Sequence, residues 1–466
     1  MNTAGQNSDH SVPWQRYILL FANNFIKLSV QLIVIFLYAR SLSIVDYGLY
    51  QTVWLYVNIL SVFFLFGLPN LILTYGLADI FNWVRHRKLL IVGYFFLINV
   101  LLLIWFFTQG FFFSWQTKLL LLLLIYSQNV AIIAETHCIK TGAEKKVLRI
   151  NTVVAILFLV SHGAILQIDY SLPLLLACLV SIQLFKIITL LRLTRTVQKP
   201  AMTLNLGRQW LYIGLGDVLG VIYKWLDKWV ILFFISLSQF ALYFNGSYEI
   251  PVFMLMVSAI GNVLLVELAK DGAFDRHRIK NLFRSTNLML ASLVFPAFSF
   301  LFFYHESFFL FFFGATYAEA IPIFLISICV IPLRITNFTA LLQSSHRSDL
   351  VLRGVIADLT SAILFMVLLY PWLGLRGIAL SFVLSTYLQA IYYLRKTIVV
   401  TRLALSDFFP LQELFGLLII SFSATGIFYL ISSFLLSEYI LLIGVLSSLA
   451  IALILLSFNR NRTITR

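Results

Sequence analysis

An all-α bundle of about fourteen membrane-crossing helices is the fold class this sequence predicts, and three observations predict it. Apolar runs of roughly 20 residues recur from one end of the chain to the other, separated by short polar joints, and a helix of that length matches the hydrocarbon thickness of a bilayer. Hydrophobic residues make up 61% of the 466 and charged residues only 11%, for a mean hydropathy of +0.96. Lys and Arg collect in every second joint.

Taken in order, the spans fall at 17–38, 48–76, 89–108, 118–138, 148–167, 173–192, 210–235, 241–267, 284–304, 317–342, 353–371, 376–394, 411–433 and 436–458. Ile18–Tyr38, Leu89–Thr108, Lys118–Cys138, Leu148–Gln167 and Ile440–Phe458 are the plainest of them. The segment before the first is polar, from Asn2 to Asp9, and the run that follows is too long for a cleavable signal, so no signal peptide is expected. The joints, at about 5–17 residues, leave no room for a soluble domain of ordinary size.

The net charge of +14 invites a nucleic-acid reading, but its placement argues against one. Of the 33 Lys and Arg, 25 lie at the N-terminus, at joints after even-numbered spans, or in the tail; joints after odd-numbered spans hold only Arg40, Lys118 and Arg376. That is the positive-inside bias, and it places both termini in the cytoplasm. Cys138, Cys178 and Cys329 lie within or at the ends of spans and share no ligand spacing, so neither a disulfide nor a zinc site is implied. The seven histidines are scattered, and His86, His277 and His346 fall in cytoplasmic joints.

An internal repeat emerges once the spans are laid out. Ser41-Leu42-Ser43 precedes Gly48-Leu49-Tyr50 between spans 1 and 2, and Ser236-Leu237-Ser238 precedes Ala241-Leu242-Tyr243 between spans 7 and 8. The offset is six spans, so both copies cross in one direction, a plan known in transporters that bind substrate between two halves.

Five cations lie inside spans: Lys27, Lys186, Lys224, Lys228 and Arg334. Each costs about 2.5–3.5 kcal/mol at the bilayer centre, which argues against lipid-facing positions. Asn23, Lys27 and Gln31 recur at intervals of four in span 1 and form one polar stripe. Span 7 carries Asp217, Lys224 and Lys228, with Asp227 three residues from Lys224, within reach of an ion pair along the helix. Two readings of these charges compete. In one, they pair with Glu135, Asp217, Asp227, Glu249 and Asp358 and only hold helices together. In the other, Lys27, Lys224, Lys228 and Arg334 line a wet cationic cavity that selects an anion such as phosphate, Arg334 through its bidentate guanidinium. Lys186, nearer a span end, reads as a snorkelling residue. Asp217, Asp227, Glu249 and Asp358 are also candidates to carry a coupling proton or sodium ion. The 44 Phe suit helices that part for an acyl or isoprenoid tail, and equally plain lipid contact.

Five segments give the chain a family resemblance. Ala39-Arg40-Ser41-Leu42-Ser43-Ile44-Val45-Asp46-Tyr47-Gly48-Leu49-Tyr50 resembles the opening joint of Wzx-type polysaccharide (O-antigen) flippases, and Gly67-Leu68-Pro69 fits the same pattern. Asp227-Lys228 followed by Ala241-Leu242-Tyr243, Phe313-Gly314 with Tyr317 and Ala320, and Leu373-Gly374-Leu375-Arg376-Gly377-Ile378-Ala379 are similar to later family segments. These five occur in family order over residues 15–400. The family belongs to the multidrug/oligosaccharidyl-lipid/polysaccharide exporter superfamily.

The resemblance implies two pseudo-symmetric six-helix bundles in a V, plus two C-terminal helices. On this plan residues 1–195 form an N-terminal lobe (helices 1–6), 196–400 a C-terminal lobe (helices 7–12), and 401–466 helices 13–14 with a cytoplasmic tail. It also implies translocation of undecaprenyl-diphosphate-linked oligosaccharide across a bacterial inner membrane by ion-coupled alternating access. No cofactor beyond a coupling H+ or Na+ and no covalent chemistry are expected. A polysaccharide polymerase and a chain-length regulator are the expected protein partners. Lys27, Lys224 and Lys228 inherit the diphosphate contact, supported by Arg334, Asn23 and Gln31. Two other functions compete: an exporter of organic cations from the same superfamily, which an excess of positive charge disfavours, and a membrane glycan polymerase. The polymerase typically displays a long outward loop with paired basic or His/Arg residues. Here the longest outward joints, Gln109–Thr117 and His305–Thr316, carry His305 and Glu306 but no catalytic constellation.

Overall fold

The computed structural model describes residues 14–75, 80, 83–85, 88–108, 113–168, 170–193, 207–248, 250, 253, 276–337, 339, 341–342, 347–435 and 439–464. Among them the only regular structure is helical. In chain order the helices are α1 (Trp14–Ser41), α2 (Ile44–Leu65), α3 (Leu68–Tyr75), α4 (Lys88–Thr108), α5 (Trp115–Lys140), α6 (Glu144–Ile168), α7 (Leu172–Leu191), α8 (Gly207–Phe234), α9 (Leu237–Gly246), α10 (Arg276–Phe303), α11 (His305–Phe313), α12 (Ile321–Ile328), α13 (Ser348–Leu373), α14 (Leu375–Thr401), α15 (Leu405–Phe408), α16 (Leu411–Leu435) and α17 (Ile440–Ile464). Eleven helical segments among the described residues are long and apolar enough to cross a membrane. The chain is an all-α, multi-pass membrane protein.

It divides into two compact units, Met1–Ile222 and Tyr223–Arg466, the division falling inside α8. In the first unit α5 packs against α2, α3 and α7, while α6 packs against α1 and α7. The buried stripe of α5 runs through Leu121, Leu124, Ala131, Ala134, Glu135 and Cys138, at the three-and-four spacing of one helix face. That of α7 runs through Leu172, Leu175, Leu179, Lys186 and Leu190. Each stripe therefore carries one charged residue into the packed interior.

The expected span 48–76 is not one helix but two, α2 and α3. Phe66 (φ 36°) and Gly67 (φ 76°) break it, and Pro69 follows in the first turn of α3. A β-carbon on Gly67 would lie 2.8 Å from the Gly214 backbone nitrogen of α8, and one on Gly214 would meet the Phe66 ring. Both glycines are fixed by this close approach. Gly67→Ala is expected to destabilise the fold by about 1–3 kcal/mol, through left-handed backbone and steric overlap together. Thermal unfolding in detergent checks this, and a midpoint equal to wild type refutes it.

In the second unit α13 packs along α14, and α10 packs against α16 and α17. The expected span 317–342 is not one helix. After Gly314 (φ 81°) it runs as a 3-10 turn (Ala315–Ala320), α12, and a second 3-10 turn (Ile331–Ile335) bearing Arg334. Pro322 and Pro332 open α12 and the second turn. Broken backbone at membrane depth must find internal partners, and Tyr387 Oη donates 2.8 Å to the carbonyl of Cys329 where α12 ends. Phe313, Tyr317 and Ala320 are buried against this break.

The repeat read from sequence is present, in a corrected register. Ser43 caps α2 by accepting from Asp46 N–H (3.1 Å), and Ser236 caps α9 by accepting from Gln239 N–H (3.2 Å). The third serine-triplet residue of the first copy thus corresponds to the first of the second. Ser43-Ile44-Val45-Asp46-Tyr47-Gly48-Leu49-Tyr50 then aligns with Ser236-Leu237-Ser238-Gln239-Phe240-Ala241-Leu242-Tyr243, and Tyr47, Tyr50, Phe240 and Tyr243 are all buried. Counted back from these caps, Lys224 corresponds to Gln31, not to Lys27, which stands one turn further away.

Candidate functional site

The charges expected inside the spans are divided between the two units. In the first unit they meet at one carboxylate. Glu135 Oε1 accepts from Lys27 Nζ at 2.5 Å, Asn151 Nδ2 at 3.1 Å and Asn23 Nδ2 at 3.3 Å, and Oε2 accepts from Lys186 Nζ at 2.6 Å. Asn151 Nδ2 also donates to Asn23 Oδ1 at 2.7 Å. Four helices supply these groups: α1, α5, α6 and α7. The Glu135 and Lys186 side chains are 8% and 9% exposed, whereas that of Lys27 is 41% exposed.

Lys186 therefore does not snorkel. It lies on the buried stripe of α7, and a lone ammonium there would be untenable without Glu135. Among the described residues the cluster holds two cations and one anion, and Lys27 is its exposed member.

The polar stripe of α1 divides. Asn23 turns inward to Glu135, while Gln31 is exposed alongside Lys27 and Asn24. Asn24, Lys27 and Gln31 fall within about 60° of helix arc, and the exposed apolar residues Phe25, Ile33 and Leu37 lie on the opposite side. A helix with exposed polar and exposed apolar faces opposed has one side for water and one for lipid.

In the second unit, Asp227 is buried and pairs with its neighbour Lys228 (Nζ to Oδ2, 3.1 Å), not with Lys224 as the spacing of three suggests. Tyr243 Oη donates to the same oxygen at 3.0 Å, so the buried tyrosine of the repeat closes this ion pair. The ammonium of Lys228 also stands 5.9 Å from the ring centres of Trp225 and Tyr243, within cation–π range. Lys224, one turn earlier, is exposed and has no ion-pair or hydrogen-bond partner among the described residues.

Asp217 accepts from Asn70 Nδ2 of α3 at 3.2 Å. Asp358 of α13 is 1% exposed, and neither of its carboxylate oxygens has a hydrogen-bond partner among the described residues. The hydroxyls of Tyr223 and Ser385 are the groups that bear on it, and Tyr223 in turn bonds Thr386 (3.1 Å). Arg334 is half-buried in its 3-10 turn. Glu249 lies outside the described residues.

No protein-family model and no curated protein matches the sequence. A solved structure does match: lipid II flippase MurJ in an inward closed conformation, at a TM-score of 0.67 over 97% of this chain and 100% of that one, with 14% identical residues. The chain shares the MurJ fold. At that identity the likeness covers the path of the backbone, and the side chains of the cluster stand on their own chemistry.

Glu135, Asn151 and Lys186 are the members of the cluster that the sequence did not single out as site residues, Glu135 being read there only as a pairing acid and Lys186 as a snorkelling one. Their signal was present as helical spacing, since Glu135 continues the Leu121–Leu124–Ala131 stripe, but nothing in an almost wholly apolar helix marks which stripe is inside.

Proposed function

We propose that the protein is a flippase that moves an undecaprenyl-diphosphate-linked oligosaccharide, an O-antigen or related surface-glycan unit, across a bacterial inner membrane. The observation that supports this reading best is a cluster of two cations on one carboxylate whose exposed member, Lys27, stands on the polar face of a membrane helix in a chain with a lipid-flippase fold. An excess cation in a spanning helix is costly unless an anion visits it, and a diphosphate is the anion a lipid-linked sugar presents. Lys224, exposed and unpaired among the described residues, is the second contact, with Lys228, Arg334 and Gln31 in support, whereas Asn23, buried on Glu135, holds the cluster and does not face the substrate. An excess of cations repels organic cations and so disfavours the drug-exporter alternative.

Transport runs by ion-coupled alternating access, with Asp358 as the leading coupling residue and Asp217, Asp227 and Glu249 as the other candidates for H+ or Na+. Both termini lie in the cytoplasm by the charge bias of the joints. The protein works beside a polysaccharide polymerase and a chain-length regulator and performs no covalent chemistry itself.

Lys27→Ala and Lys224→Ala are each expected to abolish surface glycan while the protein still inserts, with lipid-linked units retained on the cytoplasmic face. Immunoblotting of membranes together with glycan staining measures both. Normal surface glycan in the two variants sinks the assignment.

A further inference from the structure

Glu135 stands at the centre of the first unit's cluster, and its two oxygens are not equivalent. Among the described residues Oε2 is held by Lys186 alone, at 2.6 Å, and that pair is buried on both sides. Oε1 is shared by Lys27, Asn151 and Asn23. If Lys27 swings away, Glu135 keeps Lys186 as counter-ion and two amide donors on the vacated oxygen. Its burial is therefore still satisfied. Lys27, 41% exposed, moves toward water when it leaves, so it too stays solvated. Neither partner is stranded by separation, which sets this contact apart from the Glu135–Lys186 pair.

We propose that Glu135 is a built-in competitor for the substrate's phosphate: Lys27 leaves it when the anion binds and returns to it when the anion departs. Resting on the flippase reading, this assigns Glu135 and Lys186 as positioning residues that set how tightly the headgroup is held. Lys186 matters because it occupies half of the carboxylate's charge. With Lys186 in place Glu135 holds Lys27 weakly enough to be displaced, and without Lys186 the whole charge falls on Lys27. A carrier needs such a competitor because it must release on the far side what it captures on the near side, and a site of bare cations would retain a diphosphate.

The test measures binding of farnesyl diphosphate to the purified full-length chain in detergent by calorimetry. Glu135→Gln combined with Lys186→Gln removes the competitor and leaves no buried charge unpaired, so affinity is expected to rise about fivefold, the equivalent of one partly exposed ion pair. Lys186→Gln alone leaves Glu135 to Lys27 and is expected to weaken binding by about the same factor. Adding Lys27→Gln to either variant removes both shifts. Opposite shifts are not what a purely structural role produces. Wild-type affinity in folded forms of both variants overturns the competitor and leaves the flippase reading standing. Absence of binding to the wild-type chain overturns both. Should the double variant fail to fold, the single Lys186→Gln variant decides alone, and unchanged or tighter binding there overturns the proposal.

Discussion

Glu135→Ala is expected to lower stability by about 3–5 kcal/mol, because it strands the buried Lys186 ammonium and frees a second cation beside it. Unfolding in detergent measures the loss. The two-residue replacement Glu135→Gln with Lys186→Gln is expected to recover most of it, since it removes charge from both sides at once and keeps the volume. That pattern, a large single-site penalty relieved by the second change, is the signature of a coupled pair. Equal and additive losses would mean that the two residues act independently and that the cluster described here is not a unit. The same logic separates Lys27 from Lys186. Lys27→Ala leaves Glu135 neutralised by Lys186, so its effect on stability is expected to stay below about 1 kcal/mol, the range of partly exposed ion pairs, while its effect on transport is large.

Asp358→Asn is expected to abolish the dependence of transport on an ion gradient without loss of stability. The residue is 1% exposed, and the hydroxyls of Tyr223 and Ser385 that bear on it are neutral, so a proton or a cation is needed to offset its charge. An amide of the same shape carries no charge, so burial becomes less costly and the unfolding midpoint is expected to hold or rise. Binding of farnesyl diphosphate is expected to be unchanged, because Asp358 is not among the groups proposed to touch the headgroup. The decisive measurement is transport into vesicles with and without an imposed gradient of H+ or Na+. Gradient-driven transport at the wild-type rate in Asp358→Asn removes Asp358 as the coupling residue and passes the role to Asp217, Asp227 or Glu249. A fall in binding as well as in transport would instead place Asp358 in the substrate site.

Two assignments illustrate what the chain's local pattern conveys. Asn23, Lys27 and Gln31 at spacing of four were legible as one stripe, and α1 does carry them along one side. Their partners were not legible: Asn23 points to Glu135, 112 residues away in sequence, and Gln31 does not. Likewise the spacing of three between Lys224 and Asp227 suggests an ion pair along the helix. In the folded chain Lys228 takes Asp227, because Tyr243 of α9 fixes the carboxylate from the other side. The breaks at Phe66-Gly67 and between Gly314 and Ile335 were hidden for a related reason. Hydropathy continues through them, so the apolar runs alone did not reveal them, although Gly67, Pro69, Gly314, Pro322 and Pro332 are residues at which helices start or stop.

The sequence by itself determined that this chain crosses a membrane many times as helices. Length and hydropathy of a run are measured against the bilayer, a partner whose thickness is fixed, so no tertiary information is needed. Tertiary structure alone decided which cation meets which acid, that Lys186 is buried rather than snorkelling, and that Lys27 keeps an exposed charge. In a soluble protein the apolar face of a helix marks its inside. In this chain lipid and core are equally apolar, so the inward stripe of each helix is set by packing against its neighbours and leaves little trace in composition.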